Sequence, residues 1–431
     1  MIAGESACLR RLSEGDRAQE VGFGRFLANP RVTLARVIAG WGEPTAAAAA
    51  GRHVLAIQDT SEFNLRTTKE RRRGLGEIGK GAGHGLLAHV MAAVDAETGD
   101  CLGLVAGSIY TRQGRVEVAH AKRKIEDKES RRWIEAAEAA KIVLAQAACV
   151  TVIADRESDI YAEWARVPGE NFHLLTRVMR DRAVTGGGTL ASKAEAFPFA
   201  TEVRAVELTA TPTRKARKAL LSLRFGEVEI VRPDGPDAKG LPKTVKLRLV
   251  EVIERAPPAG VEPVHWRLLT THAVDDVAAA FRIVDWYRLR WTIEQLFRIM
   301  KLQGLRVEDS QLAAADGLMK LAAVAARAAA VILQLVQARD GRSRQPAQIA
   351  FSEPELAVLE CVSACLEGKT TLRRNPHPRR SMAWAAWVVG RLGGWDGYPS
   401  SRPPGPITMS HGLQTVSLLA AGWSLRDACM P

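Results

Sequence analysis

Residues 53–60, with the sequence HVLAIQDT, decide the fold prediction because a short apolar stretch there runs into a carboxylate, Asp59. His53–Ile57 contains Val, Leu and Ile without a charge, which is typical of a buried strand. Val150–Ala154 repeats the pattern and is followed by Asp155. The sequence therefore predicts two buried strands that each present an acid at the carboxyl end.

The segments around these strands predict the rest of a mixed sheet. Leu86–Val94 and Cys101–Tyr110 are strand-like and flank the turn sequence AETGD at 96–100, which predicts an antiparallel meander. Glu129–Gln146 is amphipathic and predicts a helix before the second acid-bearing strand. Three strands, a helix and a fourth strand, with acids ending the first and the fourth, form the skeleton of an α/β, ribonuclease H-like domain.

The chain is basic: its 431 residues include 60 Lys and Arg against 48 Asp and Glu, a formal net charge of +12. This charge favours a polyanionic partner such as nucleic acid. Much of it lies in five runs, at Lys69–Arg73, Lys122–Lys124, Arg177–Arg182, Arg214–Lys218 and Arg373–Arg380. A single run is more often a solvated face, but five together indicate a nucleic-acid track.

Several other classes of protein are disfavoured. The six cysteines include no Cys-x-x-Cys pair, so neither a disulfide framework nor a zinc ribbon is expected, and the nine dispersed histidines predict no metal site. Residues 1–25 lack the apolar core of a signal peptide. The longest apolar stretch, Gly317–Val336, is interrupted by Lys320 and Arg327, which favours a buried helix over a membrane span. We expect an intracellular protein with no membrane association.

Carboxylates at the ends of buried strands suit phosphoryl transfer, because two adjacent metal ions held by them activate a nucleophile and stabilise a leaving oxygen. The plainer interpretation is that each acid caps a turn. A long helix predicted over 275–302 adds a third acid, since one stripe of it carries Tyr287, Arg290, Glu294 and Lys301. An ordinary ion pair between Arg290 and Glu294 explains that stripe equally well.

These four residues form the motif Tyr-x2-Arg-x3-Glu-x6-Lys, which resembles the signature of bacterial insertion-sequence transposases of the cut-and-paste, Asp-Asp-Glu type. The resemblance runs through most of the chain. Its other segments are RFLANP at 25–30, DTS at 59–61, DKES at 127–130, DRESDI at 155–160 and RLGG at 391–394.

The resemblance implies a catalytic site and DNA contacts. Asp59, Asp155 and Glu294 would be the catalytic carboxylates that bind two Mg²⁺ ions, with Mn²⁺ as a substitute. The implied DNA-contacting residues are Tyr287, Arg290, Lys301, Trp266, Trp291 and Arg177. Trp266 matches the family position whose ring stacks on a flipped base, and Arg177 matches a phosphate-binding arginine. Core packing is the plainer role for either tryptophan.

The implied reaction is a nick at the end of the element, attack of the freed 3′-hydroxyl on the opposite strand to form a hairpin, hairpin opening, and strand transfer into target DNA. The implied partners are double-stranded DNA, as terminal inverted repeats and as target, and a second copy of the chain in a homodimer. Met382–Arg391 and Gly412–Leu425 are candidate helices for that pairing. The implied location is the bacterial cytoplasm, on the nucleoid when DNA is bound.

The implied organisation is a helical DNA-binding region over 1–50, a ribonuclease H-like catalytic domain over 51–310 with a β insertion at about 185–262, and a helical region over 311–431 for dimerisation and DNA contact. Family members often carry a longer DNA-binding region before the RFLANP segment, so we expect the first region to be truncated. Two rivals to an active transposase stay open: a non-cutting DNA-binding remnant that inhibits a full-length enzyme, and a general nuclease on the same fold.

Overall fold

The computed structural model describes residues 6–429 apart from 14, 66–71, 80–82, 113, 115–117, 120–121, 209–214 and 399. Its N-terminal part is helical, with α1 (Leu9–Leu12), α2 (Arg17–Ala28), α3 (Leu34–Ala39) and α4 (Gly42–Ala49). Asp16 and Thr33 begin α2 and α3 by accepting hydrogen bonds from free backbone N–H groups of the first turn. The alanines from 46 to 49 lie within α4, because alanine has the highest helix propensity.

Ten strands of the described chain form one mixed sheet. The strands are β1 (His53–Asn64), β2 (Gly76–Ile78), β3 (Gly83–Asp95), β4 (Cys101–Tyr110), β5 (Cys149–Ala154), β6 (Phe172–Arg177), β7 (Arg204–Leu208), β8 (Arg217–Val231), β9 (Thr244–Arg255) and β10 (His265–Thr270). Their order is β2-β3-β1-β5-β6-β10-β9-β8-β7, with β4 also paired to β3. β1, β5 and β6 are parallel, and the other pairs are antiparallel. The predicted mixed α/β architecture is confirmed.

The strands of the predicted β insertion belong to this same sheet. β10 pairs with β9 along the whole length of β10, with Trp266 opposite Val252. β8 pairs with β9, and β7 pairs with β8. Pairing of β9 with β10 satisfies backbone groups that would otherwise form an open edge. The insertion therefore extends the central sheet and does not form a separate subdomain.

Side chains of β1 alternate between two cores on opposite faces of the sheet. The covering helices are α5 (Arg131–Val143), α6 (Tyr161–Arg166), α8 (Val277–Arg288), α9 (Trp291–Lys301) and α10 (Ala315–Ala338), with α7 (Leu190–Ala196) beside β8. Val54 and Ala56 share a core with α5 and α6, whereas Leu55 and Ile57 share one with α8, α9 and α10. Because side chains on a strand alternate with a period of two, Asp59 belongs to the face of Leu55 and Ile57.

The helix predicted over 275–302 is two helices, so the prediction of one uninterrupted helix is wrong. α8 ends at Arg288 and α9 begins at Trp291. At the break the Arg290 N–H bonds to the Tyr287 carbonyl, and the Ile293 N–H bonds to the Arg290 carbonyl, both at 3.1 Å. These bonds span three residues and not four, which tightens the chain locally without a proline or glycine. The single stripe of four residues is therefore bent between Tyr287 and Glu294.

The C-terminal part contains α10 and three further helices, α11 (Glu353–Leu366), α12 (Met382–Leu392) and α13 (Pro406–Cys429). By length and composition α10 alone, among the described helices, is apolar enough to cross a membrane, but 16 of its 24 residues are buried in the protein. This agrees with the predicted buried helix.

Of the two helices predicted to pair chains, α12 is used inside the chain. Every residue from Met382 to Gly390 is buried, and α12 packs against α13 and α10. On α13, Leu418 and Leu419 are exposed. Of these two candidate helices, α13 is therefore the one with exposed large apolar side chains among the described residues.

Candidate active site

Asp59, inside β1, and Asp155, directly after β5, occupy equivalent positions along two neighbouring parallel strands. The register pairs Ile57 of β1 with Ile153 of β5, and each acid lies two residues further along. Adjacent strands lie about 4.8 Å apart, so the two acids come to the same face at one end of the pairing. Asp59 is inside β1, which continues to Asn64 by pairing with β3, so the prediction that its strand ends at the acid is wrong. The strand that ends at this level is β5, the parallel partner of β1, which stops at Ala154.

Asp155 is also a turn cap, as the plainer interpretation held. One of its carboxylate oxygens accepts the backbone N–H of Glu157 at 2.9 Å. This bond begins a short 3₁₀ turn over Arg156–Ser158. Capping fixes the orientation of the carboxylate that faces Asp59.

Glu294 is brought to Asp59 by Arg290. One guanidinium nitrogen of Arg290 lies 3.1 Å from Asp59 Oδ2, and the other lies 2.5 Å from Glu294 Oε1. The ion pair between Arg290 and Glu294 that the sequence suggested therefore exists. Arg290 also pairs with Asp59, an acid on the distant strand β1. The carboxylate oxygens of Asp59, Asp155 and Glu294 do not all lie within 4.8 Å of one another. Among the described residues, a different set of three side chains meets that criterion. The acids surround a guanidinium and do not converge on one point.

The electrostatics of Asp59 fit a divalent cation. Burial raises the pKa of its carboxyl to about 6, and the neighbouring Asp155 and Glu294 charges add to this, while Arg290 and the Thr60 N–H oppose it. Negative charge at this position is thus only partly compensated by the protein. Carboxylate oxygens are the ligands that Mg²⁺ prefers. Asp59, Asp155 and Glu294 are therefore a donor set of the right chemistry for this ion.

We expect the stability of the metal-free protein to depend on the titration of Asp59. Because its pKa is raised from 3.8 to about 6 on folding, the folded chain binds this proton more tightly than the unfolded chain. That stabilisation is fully present below pH 3.8 and is lost as the pH rises through about 6. The wild type should lose stability relative to Asp59→Asn across this window, measured as unfolding midpoints in a chelator. Parallel pH profiles for the two proteins would contradict the assignment.

Three of the predicted DNA-contacting residues form a cluster beside the acids. Tyr287 is buried, and its hydroxyl hydrogen-bonds to Arg177. Arg177 donates a second bond to the carbonyl of His265, at 3.3 Å. The Trp266 ring meets Tyr287 edge-on with centroids 5.5 Å apart. Tyr287 links this cluster to the acids, since Arg290 and Asp155 both act on its hydroxyl electrostatically.

Lys301 and Trp291 lie at the margin of the site. The Lys301 ammonium lies 5.0 Å from the centre of the Phe63 ring, within the electrostatic reach of Glu308 and Glu62. Trp291 is 41% exposed, so core packing does not explain it. Trp266 is half-buried and does pack against the core, so the plainer interpretation holds for it in part.

A buried chain of hydrogen bonds supports Asp59 from the opposite face of the sheet, and the sequence analysis missed it. His89 on β3 bonds to Thr60 at 2.9 Å and to Gln58 at 3.1 Å. Gln58 donates to Glu163 on α6, which also accepts the Ser158 hydroxyl at 2.5 Å. Burial raises the pKa of Glu163 to about 8. The chain ties the residues on both sides of Asp59 to the turn that carries Asp155. The sequence signal that could have indicated this chain is the occurrence of polar residues at 58, 89 and 163 inside mostly apolar segments.

A basic cleft of about 1000 Å³ begins at Thr60, on the α5 and α6 face of the sheet, which is opposite to the face of Asp59. Its charged lining consists of Glu62, Arg112, Arg123, Lys128, Glu129, Arg132, Arg156, Glu157, Asp159, Arg180, Arg182, Arg232, Asp234 and Asp237. Some of these cations are already paired, such as Arg182 with Asp159 at 2.6 Å. Within the part of the chain that the structure describes, Arg156 and Arg180 form no ion pair. The cleft therefore offers cationic donors, but none of Asp59, Asp155 and Glu294 lines it.

Two of the five predicted basic runs reach this cleft. Arg123 from the run at 122–124 and Arg180 and Arg182 from the run at 177–182 line it. Cations in two other runs are neutralised locally, as Arg217 is by Glu254 and Arg380 is by Glu360. Residues 69–71 of the remaining run lie outside the described residues. Among the described residues, two of the predicted runs therefore contribute to one local basic surface, the cleft.

No protein-family model matches this chain. Among solved structures, it resembles weakly that of the piggyBac transposase synaptic complex with hairpin DNA, with a TM-score of 0.34 and 9% identity. The match covers 68% of this chain and 48% of the other, so this chain spans about half the length of that transposase.

Proposed function

We propose that the chain is a metal-dependent DNA transposase of the cut-and-paste, Asp-Asp-Glu type. The observation that carries this proposal is the register match of Asp59 with Asp155, together with the Arg290 bridge from Asp59 to Glu294. Three acids far apart in sequence approach one another on one face of a sheet, and a basic cleft opens on the other face. The motif at 287–301 supplies Glu294, and the resemblance implies the same three acids.

The order of the central strands supports a ribonuclease H-like catalytic domain. β4, β3 and β1 form an antiparallel meander, and β5 and β6 continue beside β1 in parallel with it. α5 connects the meander to β5, and the third acid comes from a later helix. The succession of meander, helix and further strand is the one that the sequence predicted, whereas the parallel pairing of β5 with β1 and β6 was not part of that prediction.

Each step of the proposed reaction is an in-line displacement at phosphorus. Asp59, Asp155 and Glu294 would hold two Mg²⁺ ions, which supply Lewis-acid stabilisation of the attacking and leaving oxygens. Arg290 compensates two of the acids and would contact a DNA phosphate that approaches them. Arg177 and the Tyr287 hydroxyl offer further donors on the same side. The substrate would be double-stranded DNA, bound by a homodimer.

A second function is favoured by one observation, the position of the Arg290 guanidinium between Asp59 and Glu294. A chain in which this bridge persists would bind DNA without cutting it. Such a protein would occupy transposon ends or form mixed dimers with a full-length enzyme. The two functions differ in strand cleavage and agree in DNA binding.

Cleavage of supercoiled plasmid DNA distinguishes them. The plasmid carries the gene for this chain with its natural flanking DNA on both sides, so that any ends it recognises are present. A transposase should produce nicked and then linear DNA in Mg²⁺, with products mapping to the flanks, and none in excess chelator. A plasmid without the flanks is the matched control. Retention in a gel shift with no cleavage in Mg²⁺ or Mn²⁺ would support the non-cutting function instead.

We expect Trp266→Ala to separate the steps of the reaction. Stacking of one base on an aromatic ring contributes about 1–3 kcal/mol, so hairpin formation should fall about ten- to hundredfold while first-strand nicking persists. Trp266→Phe keeps an aromatic face and should recover most of the hairpin product. Both products are counted on a denaturing gel. An equal loss of nicks and hairpins in Trp266→Ala would mean that the ring only packs.

A further inference from the structure

A second cluster of ligand-type side chains lies on the same face of the sheet as the acids, at the opposite end of the same strands. His53 begins β1, Cys149 begins β5, and His272 follows β10. One ligand atom from each of the three lies within 4.8 Å of the others. All three side chains are partly exposed, so the cluster is reachable from solvent. Six residues of strand separate His53 from Asp59, which is about 20 Å.

The sheet register holds this cluster in place. His53 is the direct partner of Cys149 in the β1–β5 pairing, and Thr151 is the partner of His173 in the β5–β6 pairing. The Thr151 hydroxyl lies between the imidazoles of His53 and His272, 2.8 Å from His53 Nε2 and 2.7 Å from His272 Nε2. A hydroxyl has one proton to donate, so one imidazole accepts it and the other donates to the oxygen.

Two more rings enclose the cluster. His173 stacks on His272 with centroids 3.8 Å apart. Trp286 of α8 packs edge-on against His53, with centroids 4.6 Å apart, and at a tilt against His272, with centroids 5.0 Å apart. These contacts fix both imidazole planes while leaving the side chains reachable. Burial lowers the pKa of both His53 and His272, which favours the neutral form of each ring. Neutral imidazole is the form that binds a metal.

We propose that His53, Cys149 and His272 form a site for a single Zn²⁺ ion, distinct from the carboxylate site. Two imidazole nitrogens and one thiolate are a donor set that suits Zn²⁺ and does not suit Mg²⁺, which prefers oxygen. Binding replaces the Cys149 thiol proton with the metal and releases that proton to solvent. Three protein ligands leave the fourth position of a tetrahedral zinc ion for water. A metal ion bound by His53 and Cys149 would link β1 to β5 and so stabilise the two strands that lead to Asp59 and Asp155.

Metal titration of the intact chain tests the site. The protein is stripped with a chelator and titrated first with Co²⁺, whose complexes with thiolate give a charge-transfer absorption, and then with Zn²⁺ in competition with a chromophoric chelator. We expect one ion per chain, a thiolate band with Co²⁺, and displacement of Co²⁺ by Zn²⁺ but not by excess Mg²⁺. Absence of a saturable site or of the thiolate band in the wild type would overturn the proposal.

Variants then assign the ligands. Cys149→Ser and His272→Ala should each weaken Zn²⁺ binding by at least about 100-fold. Cys361→Ser, at an exposed cysteine on α11, is the matched control and should bind as the wild type does. Asp59→Asn should also keep the full Zn²⁺ stoichiometry, so a failure of the carboxylate site is distinguishable from a failure of this one. Unchanged Zn²⁺ affinity in folded Cys149→Ser and His272→Ala would show that the ion binds elsewhere and contradict the proposal.

Discussion

Replacing any one of the three acids with its amide is expected to reduce Mg²⁺-dependent strand cleavage by at least about a thousandfold. The changes are Asp59→Asn, Asp155→Asn and Glu294→Gln, which keep shape and remove charge. Metal stabilisation of the charge on transferring phosphoryl oxygens contributes several kcal/mol, and each 1.36 kcal/mol is about a tenfold change in rate. Initial rates of plasmid nicking in Mg²⁺ measure the effect.

The control for this series is Asp285→Asn, which removes an exposed carboxylate of α8 that pairs with Arg204 and Arg288. It should cleave at close to the wild-type rate. The three amide variants should still be retained with DNA in a gel shift, because the basic cleft is unchanged. Wild-type cleavage by any one of them would remove that residue from the metal site.

Loss of the Glu251 carboxylate is expected to destabilise the sheet by about 3–5 kcal/mol. Glu251 is fully buried on β9, where it accepts Arg224 Nε at 2.5 Å, Arg267 Nε at 2.7 Å and His265 Nε2 at 2.8 Å. Arg224 and Arg267 are its direct partners on the two flanking strands. Glu251→Gln leaves two guanidiniums facing each other without a compensating charge. The shift of the urea midpoint for unfolding of the sheet measures the loss.

Glu227→Gln is the matched control for Glu251→Gln. Glu227 also pairs with an arginine across β8 and β9, Arg248, but its side chain is 54% exposed. An exposed pair contributes at most about 1 kcal/mol, so this variant should be nearly neutral. A Glu251→Gln variant no less stable than Glu227→Gln would contradict the account of the buried network.

The Glu251 network also predicts a pH dependence. Although burial acts to raise the pKa of Glu251, hydrogen bonds from His265, Arg267 and Arg224 lower it below its usual value of 4.5. Its stabilisation is therefore fully present above pH 4.5 and is lost as the pH falls below that value. Because His265 and Arg267 flank Trp266 in sequence, the same loss should loosen the strand that carries this ring.

The strands that carry Asp59 and Asp155 could be predicted from the sequence because apolar runs of this length, bounded by polar residues, are characteristic of buried strands. The register between them could not be predicted, because it depends on which strands become neighbours. The sequence also placed the end of β1 at the acid, since the residues from Gln58 to Glu62 are mostly polar. β1 continues because β3 pairs with it as far as Asn64.

Two features of the site were beyond the reach of sequence patterns. The break between α8 and α9 falls at Leu289 and Arg290, neither of which disfavours a helix, so tertiary packing decides it. The approach of His53, Cys149 and His272 follows from the pairing of strands that are distant in sequence, whereas metal sites are recognised in a sequence by short spacings. Both features depend on contacts of long sequence separation.

The central claim is that Asp59, Asp155 and Glu294 together hold divalent ions, and its most direct test is a crystal structure with Mn²⁺ and anomalous scattering. We predict anomalous peaks bound by carboxylate oxygens of Asp59 and Asp155, with Glu294 at one of them and Arg290 displaced from between the acids. Anomalous density absent from these three residues at saturating Mn²⁺, with the Arg290 bridge intact, would contradict it.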